Sequence, residues 1–147
     1  MRLLRFASCA FLSLSHAAGA KAAQPLEPVK LSAGGASGAF FSRPEAQRDG
    51  PFTIVELGKS DDGHFASGVF KSKAGELPFA SYPDDEFCYF ISGDSTLTSS
   101  SGKVATFKAG DTVFIPKGWS GRWSTTGFTK FYATYTRPEP GKPSPSK

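Results

Sequence analysis

YPDDEFCYFISG at residues 82–93 and GDTVFIPKG at residues 110–118 are the two stretches that decide the fold of this 147-residue chain. In the first stretch, six residues separate Glu86 from the closing glycine. In the second, five residues separate the opening glycine from Pro116, and another glycine follows one residue later. Glycine permits turn dihedrals that side chains disfavour, and proline fixes φ at the end of a strand. The spacing therefore predicts β-strands held between defined turns.

The two stretches resemble the two-part motif of the cupin superfamily. In metal-dependent cupins the first part carries two histidines and a glutamate, and the second part ends on a third histidine. Here the histidine places fall at Ala80, Tyr82 and Gly121, or on a longer spacing at Phe79, Ser81 and Gly121. Only the glutamate, Glu86, is kept. Three imidazole ligands are impossible, because His64 is the only histidine beyond the N-terminal region, so we predict no metal and no cofactor.

Within the cupins, the chain resembles the branch named after (S)-ureidoglycine aminohydrolase, and the cupin part of an ethanolamine-utilisation protein is similar. The residues that carry this resemblance include Trp119, Trp123 and the segment 130–132. The resemblance covers residues 68–135. The resemblance implies an all-β, single-domain cupin at residues 51–136, which is a jelly-roll β-barrel or double-stranded β-helix. The aminohydrolase itself differs, since it has two cupin domains and a histidine-bound metal.

The pattern of the chain independently favours antiparallel β-structure. Short runs with strand character alternate with gaps rich in Gly, Asp and Ser, as in a jelly roll or a small barrel. No window beyond the N-terminal region sustains a helical period. The predicted strands are residues 52–57, 65–71, 76–80, 86–92, 95–99, 103–108, 112–115, 121–124 and 128–136.

The N-terminus has the features of a secretory signal peptide. Two arginines precede a modest apolar stretch at residues 6–14, and small residues follow it. We predict a signal peptide at residues 1–22, with cleavage after Ala22 or Ala20, and hence a periplasmic or secreted protein. The chain has no apolar run of about 20 residues, so we expect no membrane association after cleavage.

Composition separates the remaining ends from the domain and excludes one class of partner. Residues 23–50 are rich in Ala, Gly, Pro and Ser and predict a flexible N-terminal arm, and residues 137–147 predict a disordered Pro-rich tail. The formal charge of +4 includes three basic residues of the signal peptide; without them 14 basic residues face 13 acidic ones. The basic pI therefore gives no reason to expect a nucleic-acid partner.

A candidate site follows from the alternation of side chains along a strand. If Glu86 points into the barrel, Cys88 and Phe90 point inward too. A buried carboxylate needs a partner, and the candidates are Arg122, Lys130, Tyr82 and Tyr132. The predicted ligand-binding residues are Tyr82, Glu86, Cys88, Phe90, Trp123 and Lys130, with Trp119 at the rim. For Cys88 we expect packing in the core, with a nucleophilic role as the alternative.

The preferred function is that of an exported, metal-free cupin that binds a small polar molecule, such as a carbohydrate or an amino-acid derivative. The alternative is a hydrolase, lyase or isomerase that uses Glu86 with Tyr82 or Lys130 in acid–base chemistry. A structural ion pair without a ligand and an interaction module are further alternatives. A small-molecule ligand is the expected partner, and a homodimer is left open.

Overall fold

The structure, a computed structural model, describes residues 38–138 and is built almost entirely of β-strands. A short 3₁₀ helix, Phe40–Ser42, precedes the strands. None of the helices among residues 38–138 is long and apolar enough to cross a membrane. The predicted all-β architecture is confirmed. The strands are β1 (Gln47–Asp49), β2 (Phe52–Lys59), β3 (Phe65–Phe79), β4 (Asp85–Ser99), β5 (Val104–Lys108), β6 (Thr112–Ile115) and β7 (Gly121–Tyr135).

All strand pairs are antiparallel, in the order β1-β2-β3-β7-β4-β5, with β6 also paired to β4. The three longest strands, β3, β4 and β7, each contribute to two layers. Residues 127–135 of β7 lie between residues 65–73 of β3 and residues 85–94 of β4 and pair with both, and β2 and β6 extend that layer. Their remaining segments pair in a second layer, to which β5 is added. The two layers form the jelly roll.

Glycines allow the long strands to pass from one layer to the other. Gly75, Gly93 and Gly127 lie where β3, β4 and β7 change layer. Gly93 has φ 79°, and a Cβ there would lie 1.9 Å from the carbonyl oxygen of Gly127. The pairing of β4 with β7 also shifts register on both sides of Gly93. Three pairs of predicted strands are therefore three continuous strands, because the predicted turns between them are bends.

Side chains of β4 alternate between the interior and the surface as predicted. Cys88 and Phe90 are fully buried and Glu86 is 5% exposed, whereas Phe87 is 51% and Tyr89 38% exposed. The interior is one hydrophobic cluster dominated by aromatic rings, including Tyr82, Phe90, Trp123 and Phe128. Glu86 and Lys130 are therefore polar side chains in an apolar interior.

The described part of the predicted flexible arm is folded onto the sheet. Phe40 and Phe41 are buried in a second cluster with Val55 and Val69, on the face opposite the barrel interior. Strand β1 then pairs with β2. The structure therefore differs from the prediction of a flexible arm at residues 38–50, because two phenylalanines supply apolar area that the Gly- and Ser-rich composition conceals.

The C-terminal end of the folded domain also lies at least one residue beyond the predicted end at residue 136. Arg137, the first residue of the predicted tail, donates hydrogen bonds to Asp85, and Nη2 lies 2.8 Å from Oδ1. The predicted signal peptide, the arm before Gly38 and the tail from residue 139 onward lie outside the described residues.

Candidate functional site

Glu86 is held by two side chains that occupy both of its carboxylate oxygens. The ammonium of Lys130 lies 2.7 Å from Oε1, and the hydroxyl of Tyr82 donates a hydrogen bond to Oε2. The side chains of Lys130 and Glu86 are only 4% and 6% exposed. The structure thus brings together the three predicted catalytic candidates, Glu86, Tyr82 and Lys130.

The strands and one loop position these three groups. In the ladder between β4 and β7, Lys130 lies directly opposite Phe90, and its long side chain reaches along the interior to Glu86. Tyr82 precedes β4, and its loop is tied to the loop before β7 by two backbone hydrogen bonds, from Tyr82 N to Trp119 O at 2.7 Å and from Gly118 N to Tyr82 O at 2.8 Å. Gly118 and Pro116 of the second motif stretch therefore help to position Tyr82.

Aromatic rings and a thiol complete the surroundings of the Lys130 ammonium. Nζ lies 3.3 Å from Cys88 Sγ and 4.5 Å from the centroid of the Trp123 ring, with the Phe70 and Phe128 rings slightly farther away. Burial is the largest single influence on the pKa of Lys130 and lowers it, but the contacts with Glu86 and Cys88 together outweigh burial and leave the pKa raised. The lysine is therefore a cation, stabilised by one carboxylate and by ring faces.

Cys88 is a buried, protonated thiol. Desolvation raises its pKa to about 12, although the Lys130 cation acts in the opposite direction. A nucleophilic cysteine needs a lowered pKa. The geometry therefore favours packing over nucleophilic chemistry for this residue.

Trp123 forms part of the wall beside this group. Its indole N–H donates to the hydroxyl of Ser95, and its ring stacks on Phe128 at 5.6 Å and on Tyr82 at 6.4 Å. The sequence did not single out Ser95, which is fully buried. A signal was available, since buried indole N–H groups need acceptors, but the register shifts in β4 conceal which serine faces inward.

Two of the four proposed partners of Glu86 do not bind it. Arg122 lies on the surface, where it pairs with Glu76 at 3.2 Å. Tyr132 is buried and its pKa is raised, chiefly by desolvation, but it makes no hydrogen bond to Glu86. Phe90, a predicted ligand-binding residue, is fully buried and stacks on Phe107 at 5.7 Å.

The residues around Glu86 do not fit the metal that many cupins hold. A metal ligand needs an available lone pair facing the ion, whereas one oxygen of Glu86 faces the Lys130 ammonium. In the range from residue 38 to residue 138, no three or more His, Cys, Asp or Glu side chains are grouped so as to bind a metal.

Two pockets lie near the barrel, and neither is lined by Glu86, Tyr82 or Lys130. A groove of about 170 Å³ opens between β5 and β6, and a shallower pocket of about 380 Å³ lies over the bends of β3 and β7. The polar cluster is closely packed, since the side chains of Glu86 and Lys130 are only 6% and 4% exposed. A ligand that reaches Glu86 has to displace side chains, and the half-buried rings of Phe79 and Trp119 pack against Tyr82 where its loop closes the barrel.

Known structures with a similar fold include two EutQ proteins. The ethanolamine utilization protein Q of Salmonella typhimurium LT2 is 26% identical, with a TM-score of 0.51 over 58% of this chain and 69% of that one. The EutQ protein of Clostridium difficile is 20% identical, with a TM-score of 0.51 over 65% and 73%. A Rhizobium leguminosarum protein of unknown function is 18% identical, with a TM-score of 0.58 over 76% and 100%. The last two likenesses show the fold alone.

No curated protein matches the chain. The sequence profile of the EutQ-like cupin domain matches residues 59–132, which include every strand from β3 to β6 and most of β7. The chain therefore belongs to the EutQ-like cupin domain family.

Proposed function

We propose that the protein is exported and binds a small polar molecule inside its barrel, in the periplasm or outside the cell. The proposed contact residues are those of the polar cluster and its aromatic wall, namely Tyr82, Glu86, Cys88, Phe90, Trp123 and Lys130. The predicted signal peptide is the basis for export.

One observation carries the proposal: an ion pair between Lys130 and Glu86 lies buried among aromatic rings. Replacing a buried ion pair by apolar residues of similar volume is often neutral or stabilising. A pair at this position therefore suggests a role beyond stability, since an apolar core would hold the jelly roll together. Polar groups that converge within an apolar interior are typical of small-molecule sites.

The chemistry of the cluster favours a ligand with both donors and acceptors. Lys130 and the Tyr82 hydroxyl can donate hydrogen bonds, and Glu86 can accept them. Trp123 and Tyr82 offer ring faces for an apolar side of the same molecule. Carbohydrates and amino-acid derivatives combine these features. Ethanolamine belongs in any test, because one similar structure, 26% identical, is named for its utilisation.

A ligand screen by thermal shift tests this proposal. Sugars, amino acids and ethanolamine are tested on the wild type and on Glu86→Gln, Trp123→Ala and Glu76→Gln. A ligand of the cluster should raise the melting temperature of the wild type and of Glu76→Gln, whose carboxylate lies in a surface pair. Loss of a charge-assisted hydrogen bond should weaken binding to Glu86→Gln by about 2–3 kcal/mol. Trp123→Ala should weaken binding through lost stacking.

Two results would contradict the proposal. Hits that stabilise all four proteins equally would place the ligand outside this cluster. If no ligand acts and Glu86→Gln only destabilises the fold, by about 3–5 kcal/mol as expected for an uncompensated buried charge, the pair is structural.

An enzyme is the second candidate, and two contacts favour it: Tyr82 and Lys130 both bind the same carboxylate. Such a chain of groups can carry a proton to or from a substrate, in a hydrolase, lyase or isomerase of the kind that the likeness to (S)-ureidoglycine aminohydrolase suggests. NMR of each binding ligand over time would detect turnover. An enzyme should lose turnover in Tyr82→Phe while ligand binding persists, whereas a binding protein should leave every ligand unchanged.

A further inference from the structure

A groove on the open side of the barrel lies apart from the polar cluster. It opens between β5 and β6. Both strands pair with β4, β6 with its first part and β5 with its second part. Its volume is about 170 Å³, and its lining combines side chains of both edge strands with the loop that follows β6. The lining residues are Leu97, Ser99, Lys103, Ala105, Phe107, Val113, Phe114, Ile115, Pro116 and Trp119.

The groove walls are apolar except at one end. Phe107 and Val113 line the groove and pack against the hydrophobic cluster that contains Leu97 and Ile115. Lys103 is the only charged residue in the lining, which contains no acidic side chain. No ion pair involves Lys103 in the described part of the chain. The groove therefore combines an apolar body with a single positive end.

Ser99 adds a hydrogen-bond donor at the same end. Ser99 and Lys103 flank the turn between β4 and β5, since Ser99 N donates to Lys103 O at 2.8 Å. The hydroxyl of Ser99 accepts the indole N–H of Trp119 at 3.0 Å. A hydroxyl that accepts one bond still has its proton to donate, and no acceptor for that proton appears among residues 38–138. Ser99 and Lys103 thus form a pair of donors suited to a carboxylate.

We propose that this groove binds a small monocarboxylate whose apolar body lies against Phe107 and Val113 and whose carboxylate lies at Lys103 and Ser99. The volume lies below the 300–1,000 Å³ typical of pockets for drug-sized ligands, so the body is one ring or a short branched chain. This site goes beyond the proposed function, because none of Tyr82, Glu86 and Lys130 contributes to it.

Benzoate, benzamide and benzylamine provide the test, because they share a ring and differ in charge. Each is titrated into ¹⁵N-labelled protein while amide shifts are followed by NMR. Benzoate should shift the amides of Ser99, Lys103 and Ala105 and should bind more tightly than benzylamine. Lys103→Gln should weaken benzoate binding about two- to fivefold, as expected for an exposed charge pair. Ala105→Leu should abolish the binding of all three compounds by filling the groove.

Two control variants distinguish binding in this groove from binding elsewhere on the protein. Lys108→Gln removes an exposed lysine at the far end of β5 from Lys103 and should leave benzoate binding unchanged. Glu76→Gln, which breaks a surface pair, should also leave it unchanged. Because none of Tyr82, Glu86 and Lys130 lines the groove, this proposal and the proposed function can fail independently. Equal binding of benzoate and benzylamine, or shifts that avoid β5 and β6, would overturn the proposal. Insensitivity of benzoate binding to Ala105→Leu would do the same.

Discussion

Lys130 determines the electrostatics of the barrel interior. Its ammonium compensates Glu86 from within the protein, in a family whose fold often holds a metal beside that glutamate. Its raised pKa keeps the charge in place through the neutral range. Cys88 stays a packing residue because desolvation raises the pKa of its thiol more than the neighbouring Lys130 cation lowers it.

Cys88 gives a prediction about alkaline pH. Its pKa in the folded protein is about 12, above the ordinary 9.0, so the unfolded chain ionises first. The resulting stability is complete below pH 9 and is lost as the pH rises toward 12. Between pH 8 and pH 10 the free energy of unfolding of the wild type should therefore fall by about 1 kcal/mol more than that of Cys88→Ala. Urea unfolding of both proteins at the two pH values measures the difference, and parallel losses would contradict the assignment.

Residue by residue, the sequence predicts part of the candidate site. Alternation along a strand placed Glu86, Cys88 and Phe90 correctly on one inward face, because no bulge interrupts residues 86–90. Beyond Gly93 the inward parity changes, so Ser95 and Leu97 face the interior. Which of the four candidate partners bind Glu86 was not predictable either, since this depends on the register between β4 and β7.

At the scale of elements, composition predicts strands but not their continuity. Gly93 and the aspartate after it are typical turn residues, yet the same left-handed φ that serves a turn also lets β4 bend between layers. The choice between a turn and a bend depends on pairing with β7 on both sides of the glycine. Such pairing is a long-range property that local sequence does not contain.

The end of β7 is anchored by a contact that gives a prediction at acid pH. Hydrogen bonds from Arg137, and then from the Lys117 N–H, lower the pKa of Asp85 below its ordinary value. The resulting stability is present above that ordinary value and is lost as the pH falls through the lowered pKa. Arg137→Gln should therefore lower the urea midpoint at pH 7 and have much less effect at pH 2.

Arg122→Gln is the control for this experiment, since it breaks the exposed pair with Glu76 on another part of the surface. Surface pairs of that kind contribute little to stability. An effect of Arg137→Gln that is the same at both pH values would show that the arginine acts through packing.

For the whole molecule, the barrel was predictable because its motif residues are turn and strand-end residues with fixed spacing. The N-terminal boundary was not, since two phenylalanines in a segment rich in small and polar residues decide that it packs on the sheet. Glycine- and serine-rich composition describes an average tendency of a segment. Burial of a few large side chains can outweigh that tendency.

The three strands that run through both layers also govern how the molecule opens. Neither layer can separate from the other without breaking the ladders of β3, β4 and β7. Amide hydrogens on the two sides of the bend in β4 should therefore exchange with deuterium through the same opening reaction, with equal opening free energies and equal denaturant dependence. The amides of β1, a three-residue edge strand, should exchange sooner. Native-state exchange measured by NMR at increasing urea would reveal whether the jelly roll opens as one cooperative unit, and a lower opening free energy on one side of Gly93 would show that the layers open separately.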